Sequence, residues 1–378
     1  MRCLLLVSAL ISALLLSARE SRGADAKSDL GDNAALQYWQ AVALLPAYDK
    51  EQDKLLEHWK DAPVDAATLK LLESSRTSLM YVQRATRKPH CDWGLDYSDG
   101  LELLMPHLSK LRNLARLSLL DARHEFSRKH WQAGAAEASS MFIVARHAGQ
   151  EPVLIAILVG NAIDQMAIEC LALHLPEMDE AALKTVSARL DGLPASAGLV
   201  QKALLKEKQI GCECLLPKME EAEHQKAGSW RDVLTRYASE ADKARLKDLH
   251  EYDEALKFSR ELLPVYDRMA ELAALPRAEF ARQYGDLAKK IRATNPLAHL
   301  MLPALDKFRD GQDRHDARVA LLKAAIAVVQ GGPDALKQIR DPFGDGPFEY
   351  RRLDKGFELK SKLVVNGQQI SLAIGKGE

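Results

Sequence analysis

Apolar residues recurring at steps of three and four run through this chain from Asp32 to about Gln330, and that period constrains the fold to packed α-helices. The plainest stretch is Leu108, Leu111, Ala115, Leu119, Ala122 and Phe126, which define one buried face. Punctuation agrees with the period. Asp32 and Asn33 cap a segment that stops at Pro46, residues 48–59 follow, and Asp65 caps a helix over 66 to about 86, with Pro89 beyond its end. Residues 108–149 read as a helical hairpin whose second arm begins at Trp131 and carries Ala133, Gly134, Ala135, Ala136 and Ala138, small enough for close helix approach. Pro152 opens a helix to about Leu175, Asp179 caps the next, and further breaks fall near Pro217, Gly228, Pro276 and Asn295-Pro296.

After Gly331-Gly332-Pro333 the chemistry changes. Phe357, Leu359, Ser361, Leu363 and Val365 alternate with Glu358, Lys360 and Lys362, the period of a strand. Asn366-Gly367 is a strong hairpin signal. Centred there, a hairpin pairs Leu363 with Ile370, Ser361 with Leu372 and Leu359 with Ile374, all on one face. With residues 348–353 as a first strand, the expected fold is mainly α. It is an array of antiparallel helix pairs (a TPR-like α-α array) ending in a small three-stranded antiparallel β-meander. The meander is expected to cover the stripe Val319, Leu322, Ala325, Ile326 and Val329 of the last long helix.

The N-terminus has the layout of a secretory signal: Arg2, an apolar run over residues 4–18, then Ala24-Asp25-Ala26 with small residues at the peptidase positions. The run is shorter than the ~20 residues of a membrane span. The expected organisation is a signal peptide over 1–26, a helical array over 27–331 and the meander over 332–378, exported to the periplasm or beyond, with no span after cleavage. Lys plus Arg number 52 against 53 Asp plus Glu, so nothing favours nucleic acid or an anionic membrane surface as partner. Export permits disulfides, and a bridge from Cys91 to Cys212 or Cys214 is expected, with Cys170 a buried hydrophobe.

Motif by motif, catalytic and metal chemistry finds little support. His124-Glu125 and His130 fail the zincin pattern, because six residues rotate the second histidine off the first one's face. His90, Cys91, Cys212 and Cys214 lack the C-x₂-C spacing of a structural zinc site. Asp92, Asp96 and Asp99, and separately Asp341 and Asp345, fit turn and cap roles better than a calcium loop. Cys91 as a nucleophile served by His90 or His107 has no triad in the spacing. No cofactor motif is present.

One polar feature stands out on the apolar helix after Pro152. Asn161, Gln165 and Glu169 recur every four residues with Asp164 beside them. Such a face lines a ligand groove, bonds to a neighbouring helix, or simply meets solvent. Tyr38, Trp39, Trp93 and Tyr97 are stacking aromatics for a ligand or for the core.

The run C-D-W-G-L-D-Y-S-D-G at residues 91–100, with the helices after it, resembles an uncharacterised family of exported bacterial helical proteins without an assigned activity. D-P-F-G-D-G-P-F-E-Y at 341–350, followed by G-F-E-L-K-S at 356–361, resembles the β-region of type II pseudopilins, with one extra residue before Pro347. The pseudopilin leader G-F-T-L-x-E is not in the chain, so this second resemblance implies a similar small packing module. The expected role is non-catalytic binding or scaffolding of a protein or peptide in the cell envelope. An exported hydrolase of envelope polymers and a secretion-apparatus accessory are the alternatives.

Overall fold

A computed structural model describes residues 31–193, 198–247 and 249–375. The expected signal segment, 1–26, lies outside the described residues. The helices are α1 (Ala34–Ala43), α2 (Lys50–Glu57), α3 (Ala66–Ser74), α4 (Arg76–Ala85), α5 (Pro106–Ser127), α6 (Trp131–Ala148), α7 (Leu154–His174) and α8 (Glu180–Asp191). After these come α9 (Leu199–Lys208), α10 (Leu215–Gln225), α11 (Trp230–Arg236), α12 (Glu240–Leu246), α13 (Tyr252–Ala273), α14 (Arg277–Thr294), α15 (Ala298–Met301) and α16 (Leu305–Gly331). Strands β1 (Glu349–Leu353), β2 (Gly356–Val365) and β3 (Gln368–Ile374) close the chain as an antiparallel sheet in that order.

Side-chain caps start the helices where the sequence places them. Asn33 accepts the Ala35 N–H, Asp65 those of Ala67 and Thr68, and Asp179 that of Ala182. Asp49 and Gln52 form a reciprocal capping box at α2. The helix expected over 66–86 is in fact two. They divide at Ser75, a buried residue with φ −100° and ψ 2° whose Oγ meets Tyr48 Oη at 3.1 Å.

The main core joins α1, α4 to α8, α16 and the sheet, while α9 to α15 build one smaller cluster and share another with Leu154 and Ile157 of α7 and Leu305 and Phe308 of α16. The α5–α6 hairpin is close for the expected reason. Gly134 faces the Phe126 ring, where an added Cβ would come within 2.6 Å, and Ala135 and Ala138 are buried. Gly160 of α7 performs the same service against the Ala145 carbonyl of α6, at 2.7 Å. α7 with the turn after it is long and apolar enough to cross a bilayer, yet it packs on α5, α6, α16 and β3, and that burial accounts for its composition.

The meander rests on α16 through β2 and β3 and on α7 through β3. Phe357, Leu359, Ser361, Leu363 and Val365 are all buried, as are Ile370, Leu372 and Ile374. The face is as expected; the register is not. Val365 opposes Gln368 at the turn, but Leu359 opposes Leu372 and Phe357 opposes Ile374 because β2 bulges between Lys360 and Val364. Two extra residues in one strand keep every side chain on its own face, so the alternation is blind to the slip. Asp341 holds the bulge. Its buried carboxylate accepts the Ser361 hydroxyl at 2.9 and 3.0 Å, the Lys362 N–H at 2.5 Å and the Phe343 N–H at 3.0 Å. Positive φ at Asn366 and Gly367 gives the tight hairpin turn. Gly356 has to lack a side chain, since a Cβ there would sit 1.9 Å from the Ile374 carbonyl oxygen.

The turn-rich segment around residues 89–100 sends Cys91 and Trp93 into the core. Trp93 stacks on His107 at 4.3 Å and on Tyr38 at 5.8 Å, and Tyr38 Oη meets His147 Nδ1 at 2.9 Å. Asp92 and Asp96 cap the turns at Gly94 and Ser98. Both His107 nitrogens are buried without a hydrogen-bond partner, and burial lowers its pKa to about 4. A histidine depressed in the fold stabilises above its unfolded pKa near 6.5 and loses that contribution as pH falls through 4. Urea titrations should therefore show wild type losing stability between pH 6.5 and 4, and His107→Phe losing less over the same window, by up to ~3 kcal/mol. Parallel losses in both proteins would refute that assignment.

Candidate functional site: a polar groove along α7 and α16

Three of the four polar positions on α7 turn out to meet α16. Asn161 Nδ2 donates to Gln312 Oε1 at 3.0 Å, Asp164 Oδ2 meets His315 Nε2 at 2.7 Å, and Glu169 Oε1 accepts from Arg318 at 3.4 Å. Gln165 stays on its own helix and donates to Glu169 at 2.6 Å. Glu169 Oε2 also pairs with Lys60 at 3.3 Å. The stripe is thus an inter-helix ladder, and each rung matches one residue of α7 to one of α16.

Its centre is a buried charge cluster. Asp164 has no exposed surface, and its Oδ2 receives Arg146 of α6 as well as His315. Its Oδ1 is buried with no hydrogen-bond partner. His315 Nδ1 lies 3.1 Å from Asp316 Oδ1, which also accepts from Gln312 Nε2 at 2.9 Å. Each ring nitrogen of His315 thus faces a carboxylate oxygen. Burial lowers the Arg146 pKa, with Asp316 opposing that shift.

Beside one rung of this ladder, Asn161–Gln312, three clefts run end to end, and Asp164, Gln165, Glu169, His315 and Arg318 line none of them. The central one, about 520 Å³ and partly open to solvent, lies among Arg146, Asn161, Gln312, Asp316 and the first turn of α9, Leu199 and Val200. A second, about 880 Å³, shares Val200, Gln312 and Asp316 with it and continues to Phe280, Phe308 and Arg309. The third, about 980 Å³, shares Arg146, Gly149 and Leu199 and continues to Arg87, Lys88 and Gln150. Shared walls make them one groove. Its far end is lined by Arg87, Lys88 and Arg146 without a carboxylate, and its other end sets Arg309 and Asp313 beside Phe280 and Phe308.

The groove holds no arrangement for nucleophilic catalysis along its described walls. The one hydroxyl lining it, Thr86, donates to the Gln83 carbonyl. Carboxyls raised by burial lie elsewhere: Glu137, pushed up to about 8, and Asp121 line none of the clefts described. Among the described residues, no group of three or more His, Cys, Asp or Glu is placed to hold a metal ion. The expected bridge from Cys91 to Cys212 or Cys214 is not formed, and all three are free, as is Cys170. Cys91 belongs to the main core and Cys212 to a separate cluster, while Cys214 packs against Gly100 and the Tyr97 carbonyl.

What sequence reading missed is the α16 half of the ladder. Gln312, His315 and Arg318 recur at steps of three on the same helix as the apolar stripe, and that was the available signal. Alone it is indistinguishable from a solvated face. Comparison with known proteins adds no relative: no family model, curated protein or solved structure matches this chain.

The cluster should dominate local stability. Asp164→Ala leaves Arg146 buried and unpaired and should cost roughly 3–5 kcal/mol in urea unfolding. Asp316→Asn, at a carboxylate 45% exposed, should cost less than about 1 kcal/mol. Equal effects would show that Asp164 is not the centre of the ladder.

Proposed function

We propose that the chain is an exported, non-catalytic binding protein of the bacterial cell envelope that takes an extended, acidic peptide segment in the α7–α16 groove. The observation that carries this reading is the continuity of the three clefts through shared walls, which suits an elongated ligand better than a compact one. Side chains along it divide the work. Arg87 and Lys88, the latter 3.8 Å from Asp32, receive acidic side chains at one end, Arg146 being held by Asp164, and the amides of Asn161 and Gln312 face the peptide backbone at the centre. Phe280 and Phe308 offer an apolar site at the other end. The ladder supplies rigidity, so little ordering is left for binding to drive. The secretory layout of residues 1–26 and the resemblance to exported helical proteins belong to the same proposal.

Selection from a displayed peptide library against the full chain should enrich acidic segments. Arg87→Ala combined with Lys88→Ala should weaken the selected peptides at least tenfold, and raised salt should weaken them further. Peptides that bind wild type and the double variant alike would sink the assignment. Export makes a separate prediction: protein recovered from the fractionated envelope should begin at Lys27, and an intact Met1 terminus there would contradict cleavage.

A further inference from the structure

A different cleft, about 730 Å³, opens on the α9–α15 side of the molecule, and its chemistry is the inverse of the cationic end of the groove. Leu101, Leu215, Leu234, Leu300 and Met301 line it, with Tyr237 and Tyr266. Glu207 at the end of α9 is the one ionisable group in its wall besides these tyrosines, and no Lys, Arg or His lines it. Both tyrosine hydroxyls are already committed. Tyr266 donates to the Met301 carbonyl, and Tyr237 donates to Glu102 at 3.0 Å. Glu207 is committed by half. Its Oε1 accepts the Leu154 N–H at 3.1 Å, while its Oε2 makes no hydrogen bond among the described residues. Burial raises its pKa, the mark of a carboxyl set in apolar surroundings with too little compensation.

The backbone beside it is also unusual. Residues Gln209–Glu213 form a π-turn between α9 and α10, a geometry found as a single turn and often at functional sites. Its central residue, Gly211, lines the cleft with no side chain, and a Cβ there would lie 3.5 Å from Tyr266 Oη. Mostly apolar walls, one under-satisfied acid and a wall opened by glycine are the elements of a small-molecule site. A carboxylate in such a wall is matched by a cation, because a charge-assisted bond to an ammonium offsets desolvation that a neutral donor offsets only in part.

We propose that this cleft binds an apolar molecule carrying a single ammonium head, with Glu207 Oε2 accepting from the head and the leucine walls enclosing the tail. This is independent of the peptide groove, with which it shares no lining residue.

The test is calorimetric titration of the full chain with n-octylamine, n-octanol and octanoate below their aggregation limits. Octylamine should bind at least tenfold more tightly than octanol, and octanoate should not bind. Glu207→Gln, which keeps an acceptor for the Leu154 N–H, should bring octylamine down to the octanol level and leave octanol unchanged. Gly211→Leu fills the cleft without touching the acid and should abolish both, so it locates the site even if Glu207→Gln fails to fold. Absence of octylamine binding, equal binding of the three probes, or octylamine binding that survives Gly211→Leu would each overturn the proposal.

Discussion

The contact on which most of this structure depends is that of Asp164 with Arg146 and His315. A carboxylate with no exposed surface is tolerated only where it is paired, since unpaired burial costs several kcal/mol, about as much as a domain's whole margin allows. Arg146 comes from α6, Asp164 from α7 and His315 from α16, so one cluster ties helices that lie 151 residues apart in the chain. The rungs at Asn161–Gln312 and Glu169–Arg318 extend that alignment along both helices. Since α16 also carries β2 and β3, the ladder indirectly sets where the sheet sits.

Packing around the ladder follows from size. Glycines at 134 and 160 let α5, α6 and α7 approach to distances a single methyl would block. That closeness turns α7 into a core helix apolar enough to resemble a membrane span, with Asn161, Asp164 and Glu169 on the face that meets α16. The central cleft opens at the Asn161 end of this face, where Leu199 and Val200 of α9 also line it.

Two clefts of opposite chemistry result. The groove ends on Arg87, Lys88 and Arg146, and the separate cleft holds the single acid Glu207 among leucines. Charge sign is the physical basis on which the two proposals assign separate ligands.

Much of this was legible in the residues. The helical period, the caps at Asn33, Asp65 and Asp179, and the alternation from Phe357 to Val365 are local properties, and local hydrogen bonding and burial decide them. The polar face at Asn161, Asp164, Gln165 and Glu169 was visible for the same reason, since helical spacing alone places residues on one side. Its partners were not. Whether such a face meets solvent, ligand or helix depends on what lies across from it, and Gln312, His315 and Arg318 reach it only through tertiary packing. The β2–β3 register was hidden similarly, because a two-residue bulge held by the distant Asp341 preserves the alternation it shifts. The expected bridge from Cys91 failed on the same ground: spacing says nothing of which core a cysteine enters, and Cys91 and Cys212 enter different ones. Sequence by itself determined the elements and the faces of this protein, which arise from neighbours in the chain. Only the tertiary structure decided which faces pair and where they leave a groove, because those contacts join residues that the chain holds far apart.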